Sequence, residues 1–363
     1  MKILLCGGHP NPALAVIEYL QKQKSDNQLI YVGRKYHYFE KTVTFEYQEI
    51  ISKKIPFIDL NTGRMPQDIS LTSLANIFLT IIGFIKSLFI VIRERPDIIL
   101  SFGGYIAFPL SLVGYLLGIS VYTHEQTIAP GITNKIIGRL SAKIFIAFEE
   151  SRKYFDSNKT ILVGNFVREA ILDSLQRRQS LGSSQDKPTI LVIGGSLGSH
   201  SINLIIEKII NELTQKYFVI HQIGNLKKYG DWQRLSALKN KYYLPVSHLS
   251  SKTIAQYYHQ SDLVICRAGA NTITELAVLK KPAILIPLPW SAYDEQLRHA
   301  QLLKTAGSVE IFDQKQDPGK ILPLIEKVIA NSPIYHNNYK KLHDVYIIDG
   351  LKTYLKTISQ VKK

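Results

Sequence analysis

Residues 189–209 read "TILVIGGSLGSHSINLIIEKI", and the fold of the chain follows from how this stretch is read. Thr189 to Ile193 is a strand-like run without polar alternation. It stops at Gly194-Gly195, and isoleucines then recur at helical spacing at 202, 205, 206 and 209. A run that is apolar at successive positions suits a strand inside a parallel sheet, covered on both faces. Glycine permits the tight turn into the helix and lets the backbone approach a bound group with no Cβ in the way. The chain begins with the same layout, "MKILLCGGHPNPALAVIEYL" at 1–20, a strand, a Gly7-Gly8 corner and a helix. Between the two beginnings lies the polar stretch "RRQSLGSSQDKP" at 177–188. Two nucleotide-binding-like halves are therefore predicted, joined near Asn165 to Val167.

The same alternation runs through the rest of the chain. Further strand-like runs are Leu29–Val32, Ile98–Phe102, Ser120–Thr123, Ile144–Ala147 and Ile161–Val163 in the first half. Phe218–His221, Leu263–Cys266, Ala283–Ile286 and Val309–Ile311 follow in the second. Short buried strands separated by helical patterns predict an α/β fold with parallel sheets. A polar segment, Ser332 to Lys341, precedes a last helix-like stretch, which is expected to pack back on the first half.

Composition narrows the function. Of 363 residues 45% are apolar and 20% charged, an ordinary globular balance that argues against disorder. The imbalance is in sign: 44 Lys and Arg against 29 Asp and Glu, a net charge of +15, which favours an anionic partner. Nucleic acid is set aside, because no recognisable nucleic-acid motif accompanies the charge. The two cysteines, Cys6 and Cys266, each close a strand-like run and form no CxxC pair, which excludes a disulfide scaffold and a cysteine-rich zinc site. The histidines show no metal-ligand spacing, so no metal is expected. The opening apolar run is too short for a signal peptide and is cut by Gly-Gly-His-Pro-Asn-Pro, so a cytoplasmic protein is expected.

Ligands of open α/β sheets bind beyond the carboxyl ends of strands, where helix N-termini present free N–H groups. Three glycine corners occupy such positions: Gly7-Gly8-His9, Gly103-Gly104-Tyr105 and Gly194-Gly195-Ser196-Leu197-Gly198. None is a P-loop and none has full GxGxxG spacing, so each is also readable as a plain strand-helix turn. His9, stiffened by Pro10 and Pro12, is a candidate general base for a sugar hydroxyl or a solvated loop histidine. Glu275 has two readings. Thr272-Ile-Thr-Glu275 matches a capping box in a first helical turn, and a carboxylate near a nucleotide loop also suits the hydroxyls of a ribose. Residues 77–92, "IFLTIIGFIKSLFIVI", are either a buried core helix or one that offers an apolar edge to a bilayer, with Lys86, Arg93 and Arg95 meeting anionic headgroups.

Six motifs in order resemble the MurG family, the bacterial glycosyltransferases that add N-acetylglucosamine to the lipid-linked muramyl-peptide precursor of the cell wall. They are "GGHPNPALAV" at 7–16, "SFGGYIAFPL" at 101–110, "HEQTIAPGITNK" at 124–135, "GNFVREAIL" at 164–172, "VIGGSLGSHSIN" at 192–203 and "CRAGANTITEL" at 266–276. The resemblance spans nearly the whole chain. It implies a GT-B architecture, two Rossmann-like domains with parallel sheets facing a central cleft. It implies an acceptor-binding, membrane-associating domain over 1–164, with a C-terminal helix of about 343–363 packed back on it, and a UDP-sugar domain over 165–342.

The resemblance further implies an inverting, metal-independent transfer from UDP-GlcNAc to the undecaprenyl-linked acceptor, with no cofactor, at the cytoplasmic face of an anionic membrane. His9 would be the base. Gly7, Gly8, Gly103, Gly104, Tyr105, His124, Glu125, Gln126 and Thr127 would serve the acceptor. Arg168, Gly195, Ser196, Ala270, Asn271, Thr272, Glu275, Gln296 and His299 would serve the donor, with Glu275 on the ribose and Gln296 on the transferred sugar. The sequence departs from the family pattern at four places: Leu4-Leu5-Cys6 ahead of the first glycines, Thr127 for Asn, Phe166 for Pro and His299 for Asn. Thr127 and His299 bear on sugar or acceptor contacts. The alternatives are a related UDP-sugar transferase acting on another lipid acceptor and a non-catalytic nucleotide-sugar-binding protein.

Overall fold

The computed structural model describes residues 1–8, 10–36, 43–63, 71–176, 186–195, 198–224, 227–342, 345, 347 and 349–360, with side chains excepted at 71–75, 227, 251, 252 and 292. His9 and Ser196 lie outside the described residues. The chain divides into two compact units, Met1–Phe166 with Tyr346–Lys363, and Val167–Val345.

In unit 1 seven strands form one parallel sheet: β1 (Lys2–Cys6), β2 (Gln28–Gly33), β3 (Phe57–Asp59), β4 (Ile98–Ser101), β5 (Ser120–Glu125), β6 (Lys143–Ile146) and β7 (Thr160–Leu162). Their spatial order is β3-β2-β1-β4-β5-β6-β7, with every pairing parallel. The unit's helices are α1 (Pro10–Lys22), α2 (Phe45–Ser52), α3 (Leu71–Glu94), α4 (Gly104–Leu116) and α5 (Ile132–Leu140). Side-chain alternation explains why both faces are apolar. Ile3 and Leu5 face a core shared with Ala13 to Ile17 of α1, whereas Leu4 and Cys6 face one shared with Ile90, Val91 and residues of α4.

Unit 2 repeats the plan with six strands: β8 (Thr189–Ile193), β9 (Phe218–Gln222), β10 (Tyr243–Val246), β11 (Leu263–Cys266), β12 (Ala283–Leu285) and β13 (Val309–Ile311). The order is β10-β9-β8-β11-β12-β13, again wholly parallel. Its helices are α6 (Glu169–Gln176), α7 (His200–Lys216), α8 (Asp231–Ser236), α9 (Ser251–Gln260), α10 (Ala270–Leu279), α11 (Glu295–Thr305), α12 (Ile321–Ala330) and α13 (Ser332–Asn338). The last helix, α14 (Gly350–Ser359), belongs to unit 1, where Tyr354 and Ile358 enter the core. The two sheets are the doubly wound kind, in which strand order reverses once, here between β1 and β4 and between β8 and β11. A reversal opens a crevice at the carboxyl ends of the strands beside it.

Two strands are absent from the sequence reading, β3 and β10. Each is the edge strand beyond β2 or β9, no residue of β3 and only Tyr243 of β10 is buried, and each has a proline in or beside it, Pro56 and Pro245. With so little of their length buried, these two strands carry no uninterrupted apolar run, and proline is tolerated at a sheet edge.

Candidate functional site

In unit 1 the first two glycine corners meet at the reversal point. The Gly8 amide donates to the Gly103 carbonyl at 3.0 Å, the Gly103 amide to Ser101 Oγ at 3.2 Å, and the Gly104 amide to Asn134 Oδ1 at 2.9 Å. Gly103 has φ 76°, and a Cβ there would strike the Asn134 amide. Glycine is thus required by both conformation and space. Asn134, on α5, is held in turn by Glu125, whose Oε2 accepts from Asn134 Nδ2 at 2.6 Å. Glu125 Oε1 accepts from the Thr127 amide at 2.8 Å and from Thr127 Oγ1 at 2.7 Å. Three donors fit an ionised carboxylate, and they oppose the burial that pushes its pKa upward.

This arrangement gives four residues of the acceptor set read from the sequence a structural setting. His124, Glu125, Gln126 and Thr127 are all buried. They end β5 and turn beneath the corner, and in this structure they support it. His124 donates from Nε2 to the Gly164 carbonyl at 3.0 Å and stacks on Phe166 at 4.3 Å between ring centroids. Burial lowers its pKa to about 4, so the imidazole is neutral. Phe166 itself meets Tyr354 of α14 at 5.1 Å, which gives the phenylalanine in the proline position a packing role. Gly8, Gly104 and Tyr105 retain exposure at the corner.

In unit 2 the reversal point joins the third glycine corner to residues 266–270. Gly198 has φ 81°, and a Cβ on it would strike the Ile223 carbonyl. Gln222 Nε2 donates to the Gly195 carbonyl at 2.7 Å, tying the corner to the end of β9. Arg267 leaves β11 and turns inward. Its Nη2 donates to Ser199 Oγ at 2.8 Å and Ser201 Oγ at 2.5 Å, and its Nη1 donates to the Ile286 carbonyl at 2.9 Å. These partners are neutral. A guanidinium only 8% exposed and bonded to neutral groups is costly, and burial pulls its pKa down to about 10, still charged at neutral pH. Ser199 is the N-cap of α7 yet makes no side-chain cap, so the positive end of that helix lies beside the arginine.

Glu275 does not form the capping box. The helix starts at Ala270 with Gly269 as N-cap, which puts Glu275 in the second turn, 4% exposed. Its Oε1 accepts from Arg168 Nε at 2.8 Å and Nη2 at 2.5 Å, and its Oε2 from the Tyr258 hydroxyl at 3.1 Å. His299 is fully buried and donates from Nδ1 to the Ala268 carbonyl at 3.0 Å, so it braces the 267–269 corner. Burial lowers its pKa to about 4. Gln296 is half-buried, with Oε1 accepting from the Leu288 amide at 3.0 Å. Asn271 Oδ1 is buried with no hydrogen-bond partner, which leaves an acceptor for a bound group beside half-buried Thr272. Among the described residues no group of three or more His, Cys, Asp or Glu is placed to hold a metal ion.

Two family models match the chain in series: the glycosyltransferase family 28 N-terminal domain over residues 6–146 and its C-terminal domain over 189–349. The UDP-N-acetylglucosamine–N-acetylmuramyl-(pentapeptide) pyrophosphoryl-undecaprenol N-acetylglucosamine transferase 2 of Bacillus cereus is 30% identical, covering 99% of both chains. The enzyme of the same activity from Myxococcus xanthus is 30% identical over 92% of this chain and 85% of its own. The chain belongs to the MurG family of glycosyltransferases. Its fold is that of the crystal structure of Acinetobacter baumannii MurG, at TM-score 0.70, 24% identity and 99% coverage of both chains. A UDP-GlcNAc 2-epimerase from Neisseria meningitidis bound to UDP-GlcNAc shares the fold to the same degree, TM-score 0.70 at 18% identity, covering 99% of this chain and 100% of that one.

Sequence reasoning gave no role to Asn134, Ser199 or Ser201, although they lie within the quoted motifs, nor to Gln222, which lies outside them. Each is tied by a hydrogen bond to a glycine or an arginine far away in sequence. Arg267 was visible, but a partner in a carboxylate is the natural reading of a lone arginine, and the structure gives it serines and carbonyls.

Proposed function

We propose that this chain moves N-acetylglucosamine from UDP-GlcNAc to the lipid-linked muramyl-peptide acceptor, forming the disaccharide lipid intermediate of peptidoglycan. The observation that carries this is the full-length match to transferases of that activity, combined with a buried, charged arginine at the unit 2 corner. As the glycosidic bond breaks its electron pair leaves with UDP, whose diphosphate gains one negative charge, and preorganised donors meet such charge without reorganisation. Arg267, the uncapped start of α7 and the Gly195 corner are the groups in this reading that face the diphosphate. Ala270, Asn271 and Thr272 at the start of α10 take the nucleotide, and Gln296 the sugar.

Glu275 remains the ribose residue in this reading. A carboxylate offers about four lone-pair sites, and Arg168 and Tyr258 use three, so Oε2 retains one for a hydroxyl. His9, next to Gly8 in the chain, is the base in this reading; direct attack by the deprotonated acceptor inverts the anomeric centre. Membrane contact falls to α3. By length and composition its segment Asn76–Glu94 would also suffice to cross a membrane. Its inner residues Ile90 and Val91 pack on the sheet, while Phe78, Ile81, Ile85, Phe89 and Ile92 are exposed, Phe89 at 69%. A single apolar stripe with Lys86, Arg93 and Arg95 exposed nearby suits a helix lying on an anionic surface.

The test is product formation by purified protein with UDP-GlcNAc and a short-chain muramyl-pentapeptide lipid in excess EDTA. Transfer that persists in EDTA supports both the reaction and its metal independence. UDP-GlcNAc bound without transfer would retire this acceptor and leave a transferase of another lipid acceptor or a nucleotide-sugar-binding protein.

A further inference from the structure

The unit 1 corner poses a problem of charge. The amides of Gly8, Gly103 and Gly104 are all committed inside the protein. An anionic group entering this corner therefore finds three backbone donors already engaged, and a side-chain cation has to answer its charge. Arg34 stands at that rim. It is the residue directly after β2, half-buried, and its guanidinium carbon lies 5.1 Å from the centre of the Tyr105 ring. Tyr105 follows Gly104 in the first turn of α4, and Gly104 in turn abuts the Gly8 backbone. Arg34 therefore shares the carboxyl end of the sheet with both glycine corners.

Its backbone is pinned on three sides. The Gly33 carbonyl accepts from the Leu60 amide at 2.8 Å, the Arg34 carbonyl from Thr44 Oγ1 at 2.7 Å, and the Lys35 carbonyl from the Thr44 amide at 2.9 Å. Below it lies Glu46 of α2, buried, its carboxylate against Gly33 and its Oε1 without a hydrogen-bond partner. Tyr31 of β2, which lies beside Glu46, donates its hydroxyl to the Gly7 carbonyl at 3.3 Å. One set of contacts thus links Glu46 to Arg34 on one side and to the first glycine corner on the other.

We propose that Arg34, held over Tyr105 and backed by Glu46, binds an anionic group of the acceptor, either a phosphate of its diphosphate or a carboxylate of its peptide. A planar guanidinium presents two parallel N–H groups to such an oxyanion, and an aromatic face keeps it flat. The proposal deepens the transferase reading and rests on it. Glu46 is a positioning residue. It is faced by Tyr31 from β2, by Arg34 after β2 and by Asp59 from β3, while the Glu18–Lys53 pair joins α1 to the far end of its own helix. Burial, the largest influence, raises its pKa to about 7. Ionised Glu46 competes for Arg34, and an anion on Arg34 drives Glu46 to take a proton. Acceptor binding then strengthens as the pH falls from 8 to 6.

The experiment titrates the full chain with a short-chain muramyl-pentapeptide lipid diphosphate, without donor, by calorimetry, with UDP titrated separately. R34Q is expected to weaken acceptor binding roughly 10- to 100-fold and leave UDP binding within twofold. R34K recovers part of the loss, and E46Q removes the pH dependence; equal melting temperatures show that each variant is folded. An acceptor whose peptide carboxylates are amidated separates the two sources. If amidation abolishes the difference between wild type and R34Q, the group is a carboxylate; if the difference persists, it is a phosphate. Acceptor binding by R34Q equal to wild type, or acceptor and UDP weakening together, overturns the subsite alone. No acceptor binding by the wild type overturns the transferase reading beneath it.

Discussion

The two reversal points are built on the same strand order and solve opposite problems. At the unit 1 corner the glycine amides are spent on the protein itself, through Gly103, Ser101 and Asn134. At the unit 2 corner a charged arginine is buried among serines and carbonyls beside an uncapped helix. The first corner ties its glycine amides down and has its cation, Arg34, only at the rim, and the second stores positive potential within. A transferase that releases a nucleoside diphosphate needs the stored charge on the donor side. On the acceptor side, rigidity matters more, because a hydroxyl has to be held in line for attack.

The contrast is exposed to test, most strongly at Glu275. Glu275→Ala leaves the Arg168 guanidinium, 12% exposed at its side chain, without its carboxylate. Loss of one partner of a buried pair costs about 3–5 kcal/mol. A lowered melting transition of unit 2, followed by hydrogen exchange, is the expected result; an unchanged transition would mean that the pair is not structural.

Acidification should separate the units next. His221 and His299 are buried and neutral in unit 2, their pKa values lowered by burial to about 3 and about 4. His221 accepts from the Tyr243 hydroxyl and donates to Asn203 Oδ1, so no proton can be added without breaking a bond. Each folded pKa lies below the unfolded value, so the unfolded state binds more protons, and stability is lost as the pH falls below about 6.5. By pH 5 the loss is about 2 kcal/mol for each histidine. Unit 1 has His124 in the same condition, but Glu46 has the opposite sign. Its folded pKa of about 7 exceeds the unfolded one, so its contribution is full at low pH and is lost as the pH rises toward 7. Hydrogen exchange between pH 7 and 5 should therefore show unit 2 loosening first. Equal loosening would contradict the assignment.

Arg267→Gln removes the stored charge, and kcat/KM for UDP-GlcNAc is expected to drop on the order of 10²- to 10³-fold, with calorimetric UDP binding falling in parallel. Asn134→Ala acts on the other corner and is the smallest effect, about 1–2 kcal/mol, freeing the Gly104 amide and raising the KM for acceptor alone. Should Asn134→Ala change UDP binding as much as Arg267→Gln does, the division of labour between the corners is wrong.

Strands buried on both faces were legible because burial leaves a record in each residue, an apolar run of fixed length. The glycine corners were legible because a close approach or a positive φ at Gly103 and Gly198 tolerates no other side chain. From local composition alone these determine two parallel α/β units, and motif order supplied the family. Of the four edge strands β7 and β13 were legible, whereas β3 and β10 were not, since nearly all of their residues reach water and need not be apolar.

The tertiary structure decided how the polar residues are employed. Glu275 matches a capping box in sequence, yet the helix begins at Ala270 and the carboxylate turns to Arg168, 107 residues away. His299 occupies a donor position in the motif, yet its ring is sealed beneath the Ala268 carbonyl. Hydrogen bonds are satisfied by whichever partner the fold brings within 3 Å, and that partner has no fixed spacing along the chain. Apolar burial averages over many neighbours and is written locally; a polar side chain depends on one, and only folding selects it.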